Sequence, residues 1–186
     1  MNRRHALQFL GAGSIVDAMP LLAAGLEAPT LLRAGSCVVM LRHAQTTPGV
    51  GDPPNFTVNQ CNTQRNLSDE GREQAKRMGQ WFKTHGLQPR SVQTSAWCRC
   101  KDTAELAFGK YTELPALGST FDNRTDQDAQ TKALRARLGF LPAGQFEVWV
   151  THQVNITALT GEPTSMGEAV IISTRAKVLG RTTFSS

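Results

Sequence analysis

Residues 38–47 have the sequence VVMLRHAQTT, in which four apolar residues are followed directly by Arg42 and His43. A short, continuous apolar run of this kind predicts a strand buried on both faces, as in parallel sheets. The arginine and the histidine then stand at the carboxyl end of that strand, which is the edge where open α/β sheets bind ligands. The stretch therefore predicts a fold class and a candidate site, with a core histidine as the alternative explanation for His43.

Two further strand-like segments also end close to basic residues. Residues 91–95 (SVQTS) lead into a helical segment that begins near Trp97 and carries Arg99, and residues 146–151 (FEVWVT) end at His152. The remaining elements predicted from the pattern are helices at residues 127–138 and 155–159 and a late strand at residues 169–173. Strands that alternate with helices predict a mostly parallel sheet covered on both faces, which is a three-layer α/β/α sandwich.

Between the first two of these strands the sequence predicts a long loop and then a helix. Residues 46–66 are dense in Gly, Pro, Asn and Thr, and loops of this length in a folded domain often carry function. Ser68 can cap the helix that follows, and Gly86 can end it. Three residues are predicted on its buried face: Ala75, Met78 and Phe82.

Composition bounds the function without deciding it. The chain has 186 residues, of which 40% are hydrophobic, and a net charge of +5, so it can form a folded domain that attracts anions. The aromatic content is only 6%, and no zinc-finger, homeodomain or RNA-recognition motif is present. The sequence therefore favours a small anionic ligand over nucleic acid.

The first residues predict export from the cytoplasm. Arg3 and Arg4 precede a moderately apolar, small-residue stretch that ends near Gly25, an arrangement that resembles a twin-arginine signal. We expect residues 1–25 to be the signal, residues 26–186 to be the mature domain, and the protein to be periplasmic or secreted. An amphipathic first helix is the alternative. No later apolar run is long enough to span a bilayer, so stable membrane insertion after removal of the signal is not expected.

The chain has four cysteines, an even number that can pair in an oxidising compartment: Cys37, Cys61, Cys98 and Cys100. We expect one bridge from the loop of Cys61 to either Cys98 or Cys100. The Cys98-Arg99-Cys100 spacing lacks the two-residue spacer of a zinc knuckle and the histidines are scattered, which argues against a metal site. The sequence leaves the oligomeric state open.

Four motifs in this order resemble the histidine phosphatase superfamily, also called phosphoglycerate mutase-like. They are LRHA at residues 41–44, NLSDEGREQA at 66–75, SAWCR at 95–99 and VTH at 150–152. The run THQVNIT at residues 151–157 further resembles the branch that includes lipopolysaccharide core heptose phosphate phosphatases. The first family motif is usually Arg-His-Gly, and here Ala44 replaces the glycine.

The resemblance implies a phosphomonoester hydrolase that needs no cofactor. His43 would be the nucleophile and would form a phosphohistidine. Arg42 and Arg99 would hold the phosphoryl group, since guanidinium groups match phosphate oxygens bidentately, and His152 would donate to a further oxygen. The implied partner is a small phosphorylated substrate.

The sequence leaves the proton donor open. The position directly after His152, where some relatives carry an acid, is Gln153, and an amide cannot act as a general acid. Asp52 and Asp122 are the remaining candidates for the donor. Asn155 could contact substrate, although capping the next helix is the alternative role.

Several functions remain compatible with the same residues. The substrate could be a sugar phosphate of the cell envelope or phosphohistidine on a protein. The absence of an obvious proton donor would also fit a phosphate-binding module that has lost turnover, and a mutase is a third alternative.

Overall fold

The computed structural model describes residues 27–58, 60–121, 126–139 and 141–185, which form one mixed sheet between two layers of helices. The predicted export signal lies outside the described residues. The strands are β1 (Cys37–Arg42), β2 (Ser91–Thr94), β3 (Thr112–Glu113), β4 (Phe146–Thr151), β5 (Ala169–Ser173) and β6 (Val178–Thr182). The α-helices are α1 (Ala28–Ala34), α2 (Asp69–Thr84), α3 (Cys98–Phe108), α4 (Gln127–Leu138) and α5 (Gln153–Thr160).

The sheet has the strand order β3-β2-β4-β1-β5-β6. Its first four strands pair in parallel, whereas β5 and β6 pair antiparallel to their neighbours. In the register of β1 and β4, Arg42 lies opposite Thr151. The residues that follow these two strands, His43 and His152, therefore leave the sheet side by side at its carboxyl edge.

Side chains of β1 alternate between the two faces of the sheet, as the two-residue period of a strand requires. Cys37, Val39 and Leu41 pack in a cluster with α1, α2 and α3, while Val38 and Met40 pack in a second cluster with α4 and α5. All five side chains are fully buried. The predicted three-layer α/β/α fold with a mostly parallel sheet is confirmed.

Helix α2 begins and packs as the sequence predicts. The Oγ of Ser68 accepts a hydrogen bond of 3.1 Å from the Gly71 amide and so satisfies one of the free donors of the first turn. Gly71 itself is required by a close approach, because a Cβ atom at this position would collide with the carbonyl oxygen of Gln45. The first turn of α2 thus lies directly against the segment that follows β1. The predicted residues of its buried face are all buried: Ala75, Met78 and Phe82.

Three elements are not predicted by the sequence pattern: α1, β3 and β6. Helix α1 has seven residues and lies next to the predicted export signal, and β3 has only two residues. Strand β6 has the sequence VLGRT, whose side chains are partly or largely exposed and which contains a glycine at position 180. An edge strand that is not buried on either face carries no clear hydrophobic period, so its position is set by pairing with β5.

A disulfide joins Cys61 to Cys98, which decides between the two predicted partners. The bridge ties the loop of residues 46–66 to the first residue of α3. Cys37 and Cys100 are free thiols in the interior, and burial raises the pKa of the Cys100 thiol to about 12. Among the described helices, none is long and apolar enough to cross a membrane.

Candidate active site

The carboxyl edge of the sheet brings together the four residues predicted to act on phosphate. The His43 amide donates to Thr151 O at 3.0 Å, so the chain leaving β1 stays hydrogen-bonded to the end of β4. The rings of His43 and His152 meet edge to face with centroids 5.5 Å apart. Arg42 and Arg99 line the same cavity, which has a volume of about 620 Å³.

His43 is held as a neutral ring with one free nitrogen. Its Nδ1 lies 2.8 Å from Ala44 O, and because a carbonyl can only accept, Nδ1 carries the proton. Nε2 is then left unprotonated, as a nucleophile requires. Burial, reinforced by the positive charge of Arg99, lowers the pKa of His43 to about 3, so the ring is uncharged at neutral pH.

Ala44 fits the place where the family motif usually has glycine. It is not among the residues with a positive φ, so a Cβ atom costs no backbone strain there. Its side chain is fully buried, and its amide donates to the Oγ1 of Thr103 at 3.0 Å. Helix α3 therefore holds Ala44, the residue whose carbonyl orients the His43 ring.

His152 is oriented by a hydroxyl group behind it. The Oγ of Ser95 lies 3.0 Å from His152 Nε2 and also accepts from the Trp97 amide at 3.3 Å. The Ser95 hydroxyl proton can therefore go to Nε2, which leaves Nδ1 as the N–H group that can donate to a ligand oxygen. Burial, with Arg99 as the next cause, lowers the pKa of His152 well below its usual value.

Arg42 reaches the cavity from the end of β1 and Arg99 from the first turn of α3, and the two are fixed by different partners. Arg42 Nη1 donates to Gln153 Oε1 at 2.9 Å and to Thr164 O at 2.6 Å. Arg99 is 3% exposed, and its guanidinium lies 4.4 Å from the centroid of the Trp97 ring. Both side chains are thus held in place before any ligand arrives.

A third arginine in the cavity, Arg65, is missed by the strand-end argument because it lies in the loop of residues 46–66. A signal for it exists in the sequence: Arg65 is the only cation of that loop and Asp52 is its only anion. The Arg65 amide donates to Asp52 Oδ1 at 2.9 Å, and Arg99 Nη1 donates to the same oxygen at 3.1 Å. One carboxylate therefore positions two of the three arginines.

Each of the three arginines has one buried N–H donor that no group of the protein accepts from. In the described part of the chain, the Nε atoms of Arg42, Arg65 and Arg99 are buried without a hydrogen-bond partner. Buried donors left unpaired are rare because each costs about 1–3 kcal/mol. All three side chains line one cavity, so an anion in it meets three guanidinium groups.

The three remaining residues predicted for the site, two possible proton donors and one possible substrate contact, have different positions in the structure. Asp52 lines the cavity and forms an ion pair with Arg99, and its role as a proton donor stays a prediction. Asp122 lies outside the described residues. Asn155 does not line the cavity: its Nδ2 donates to Leu117 O at 3.0 Å and to Gly118 O at 2.7 Å.

The position of Asn155 therefore supports neither role considered for it. A buried amide engaged by two carbonyl oxygens has no donor left for substrate, and the residue at the start of α5 is His152 rather than Asn155. Asn155 instead holds the segment around Leu117 against α5. Among the described residues there is also no group of three or more His, Cys, Asp and Glu side chains that could hold a metal ion.

Comparison with known proteins gives the same family and fold as the sequence motifs. Residues 38–117 match the family model of the histidine phosphatase superfamily (branch 1). No protein of curated function matches the chain.

Solved structures with the same fold share little sequence identity with the chain. The protein TTHB049 from Thermus thermophilus is 21% identical, with 78% of this chain and 98% of that chain covered and a TM-score of 0.52. A phosphoglycerate mutase from the same organism is 20% identical, with coverages of 78% and 97% and a TM-score of 0.56. The protein histidine phosphatase SixA, solved with tungstate, is 14% identical, with coverages of 78% and 95% and a TM-score of 0.53. The predicted resemblance to the histidine phosphatase superfamily is confirmed.

Proposed function

We propose that the protein hydrolyses phosphate monoesters through a phosphohistidine on His43. The observation that carries the proposal is the set of three arginines that line one cavity with a neutral, buried histidine. A cationic cradle of fixed geometry stabilises the charge on the oxygens of a transferring phosphoryl group. SixA, which has this fold, was solved in complex with tungstate, an oxyanion with a tetrahedral shape like that of phosphate.

The reaction has two displacements at phosphorus. In the first, the lone pair of His43 Nε2 attacks, the ester P–O bond breaks, and the leaving oxygen takes a proton. In the second, water attacks the phosphohistidine, the P–N bond breaks, the water proton returns to the proton donor, and inorganic phosphate leaves with a neutral His43. Asp52 is the carboxyl group in the described cavity wall. To act as the donor it would carry the proton on Oδ2, because its Oδ1 accepts from the Arg65 amide and from Arg99 Nη1.

Labelling and turnover together test this function. Wild-type protein incubated with a phosphomonoester labelled in the phosphate should turn it over and give an acid-labile adduct on His43. His43→Asn should lose both, while His85→Asn, which changes a histidine outside the cavity, should keep both. Turnover by His43→Asn at the wild-type rate would reject the mechanism.

The same measurement separates the alternatives of the same fold. A phosphate-binding module without turnover would bind phosphate but show no adduct and no release. A mutase would require a phosphorylated donor and would return the phosphoryl group to substrate rather than to water. Activity should also survive a chelator, since the proposed mechanism uses no metal ion.

We also propose that residues 1–25 direct export and that residues 26–186 act in the periplasm or outside the cell. The Cys61–Cys98 disulfide supports this proposal, because such bonds persist in oxidising compartments. Fractionation of cells that express the full chain tests it. Loss of export after Arg3 and Arg4 are both changed to Lys is the expected result, and unchanged export would contradict a twin-arginine signal.

A further inference from the structure

The cavity is lined by ionisable and by apolar side chains. The ionisable ones include the two histidines and the three arginines described above. The apolar lining residues are Pro53, Pro54, Phe56, Trp97, Phe121 and Val154. A cavity of about 620 Å³ is the size of sites that enclose a whole small molecule. It therefore has room for the leaving group of an ester as well as for its phosphate.

The apolar wall is formed before a ligand binds. Two consecutive prolines restrict the backbone at residues 53 and 54, and the Phe56 amide donates to Pro53 O at 3.1 Å. The Phe56 ring packs against Trp97 with centroids 4.6 Å apart. A rigid apolar wall loses little conformational entropy when a ligand contacts it, which favours binding.

Phe121 gives the wall an exposed aromatic edge. Its side chain is 84% exposed, while most large apolar side chains in the described part of the chain are buried. A single exposed aromatic residue needs no explanation by itself. Phe121, however, lines the same cavity as Phe56 and Trp97, so a ligand that fills the cavity would cover it.

The charges of the cavity limit what the leaving group can carry. The described lining includes no lysine, and its three arginines are the ones that the proposed function assigns to the phosphate. Its only carboxylate, Asp52, is already paired with Arg99. A second anionic group on the leaving group would lose water against the apolar wall without gaining a cation in the described lining.

We propose that the substrates are monophosphate esters whose leaving group carries a flat apolar ring and no second anionic group. The inference rests on the proposed function, because the phosphate must first occupy the arginine cradle. With the phosphate there, a ring attached to the ester oxygen can contact the apolar lining residues Pro53, Phe56 and Phe121. Aromatic and proline surfaces favour such flat groups through stacking and apolar burial.

Three primary alkyl phosphates test the proposal because their leaving groups differ little in chemical reactivity. They are 2-phenylethyl phosphate, glycerol 3-phosphate and 3-phosphoglycerate. We expect the wild-type kcat/KM for the phenylethyl ester to exceed that for glycerol 3-phosphate by about tenfold, as expected when a phenyl group is largely buried. The 3-phosphoglycerate should be the poorest substrate of the three.

Variants of Phe121 test whether this side chain causes the preference for the phenylethyl ester. Phe121→Ala should remove most of the preference for the phenylethyl ester through KM, and leave glycerol 3-phosphate within about twofold of wild type. Phe121→Lys should improve 3-phosphoglycerate relative to the phenylethyl ester. Val50→Ala is the matched control, since Val50 is another exposed apolar side chain, 48% exposed, but does not line the cavity.

The outcomes distinguish this inference from the function on which it rests. Absence of turnover and of a His43 adduct with all three esters would overturn the proposed function. Turnover of all three with a preference for 3-phosphoglycerate, or with no preference, would overturn the substrate class and leave the hydrolase intact. An equal loss on every ester in Phe121→Ala would likewise overturn it.

Discussion

Acidification should destabilise the fold through the same buried histidines that the proposed chemistry uses. His43 titrates near 6.5 when unfolded, whereas burial and Arg99 lower its pKa to about 3 in the folded protein. Between these values the unfolded chain binds the proton and the folded chain does not. The free energy of unfolding is therefore unaffected by this group above pH 6.5 and decreases as the pH falls below 6.5. The loss reaches its full size once the pH is below the folded pKa.

The magnitude follows from the size of the shift. At 1.36 kcal/mol for each unit of pH below 6.5, the His43 ring alone should remove about 3 kcal/mol of the free energy of unfolding at pH 4. His152 shifts in the same direction and faces the same arginines, so it adds to the loss. The total stability of a domain of this size is about 5–15 kcal/mol, so the effect is large enough to measure.

Urea unfolding followed by tryptophan fluorescence at pH 7 and pH 4 measures this loss. The wild-type protein should lose about 3 kcal/mol more between the two values than His43→Asn does, because asparagine does not titrate. Taking the difference between the two proteins removes the contribution of the carboxylates, because both proteins contain the same ones. If both proteins lose the same free energy, His43 is not the buried neutral base described above, and the basis for its role as nucleophile fails.

Two further predictions concern the loop of residues 46–66. Arg65→Ala should weaken inorganic phosphate binding at least tenfold, because it removes a guanidinium from the cradle, and Arg65→Lys should recover only part of the loss. Calorimetric titration with phosphate measures both variants, and unchanged binding in Arg65→Ala would exclude this arginine from the site. Replacing Cys61 and Cys98 by serine opens a link between residues 37 positions apart and should lower the free energy of unfolding by about 4 kcal/mol. Urea unfolding of the double variant and the wild type checks this value, and equal midpoints would show that the bridge does not constrain the chain.

Much of the site follows from residues that end strands. Arg42, His43 and His152 stand directly after apolar runs, and parallel strands place such positions at one edge. Arg99 lies a few residues after the end of β2 and enters the same edge from α3. Local pattern and topology rules are therefore sufficient to bring these four side chains together.

The residues that the sequence left open depend on contacts between distant segments. Arg65 and Asp52 lie in a loop whose path is set by the Cys61–Cys98 bridge and by hydrogen bonds to Arg99. The sequence favours Asn155 as a helix cap or a substrate contact, but carbonyl oxygens of the segment around Leu117 engage its amide instead. The hydrophobic periodicity of the sequence indicates neither the loop contacts of Arg65 and Asp52 nor the hydrogen bonds of Asn155.

The sequence by itself determined the main buried strands and the helices between them, the layer architecture and the four polar side chains at the sheet edge. These depend on the hydrophobic period and on which residues directly follow each strand. Only the tertiary structure decided the disulfide partner, the third arginine, the protonated nitrogen of His43 and the apolar wall beside the cradle. Each of these is a contact between segments far apart along the chain, and the geometry of such contacts is fixed by packing rather than by neighbouring residues.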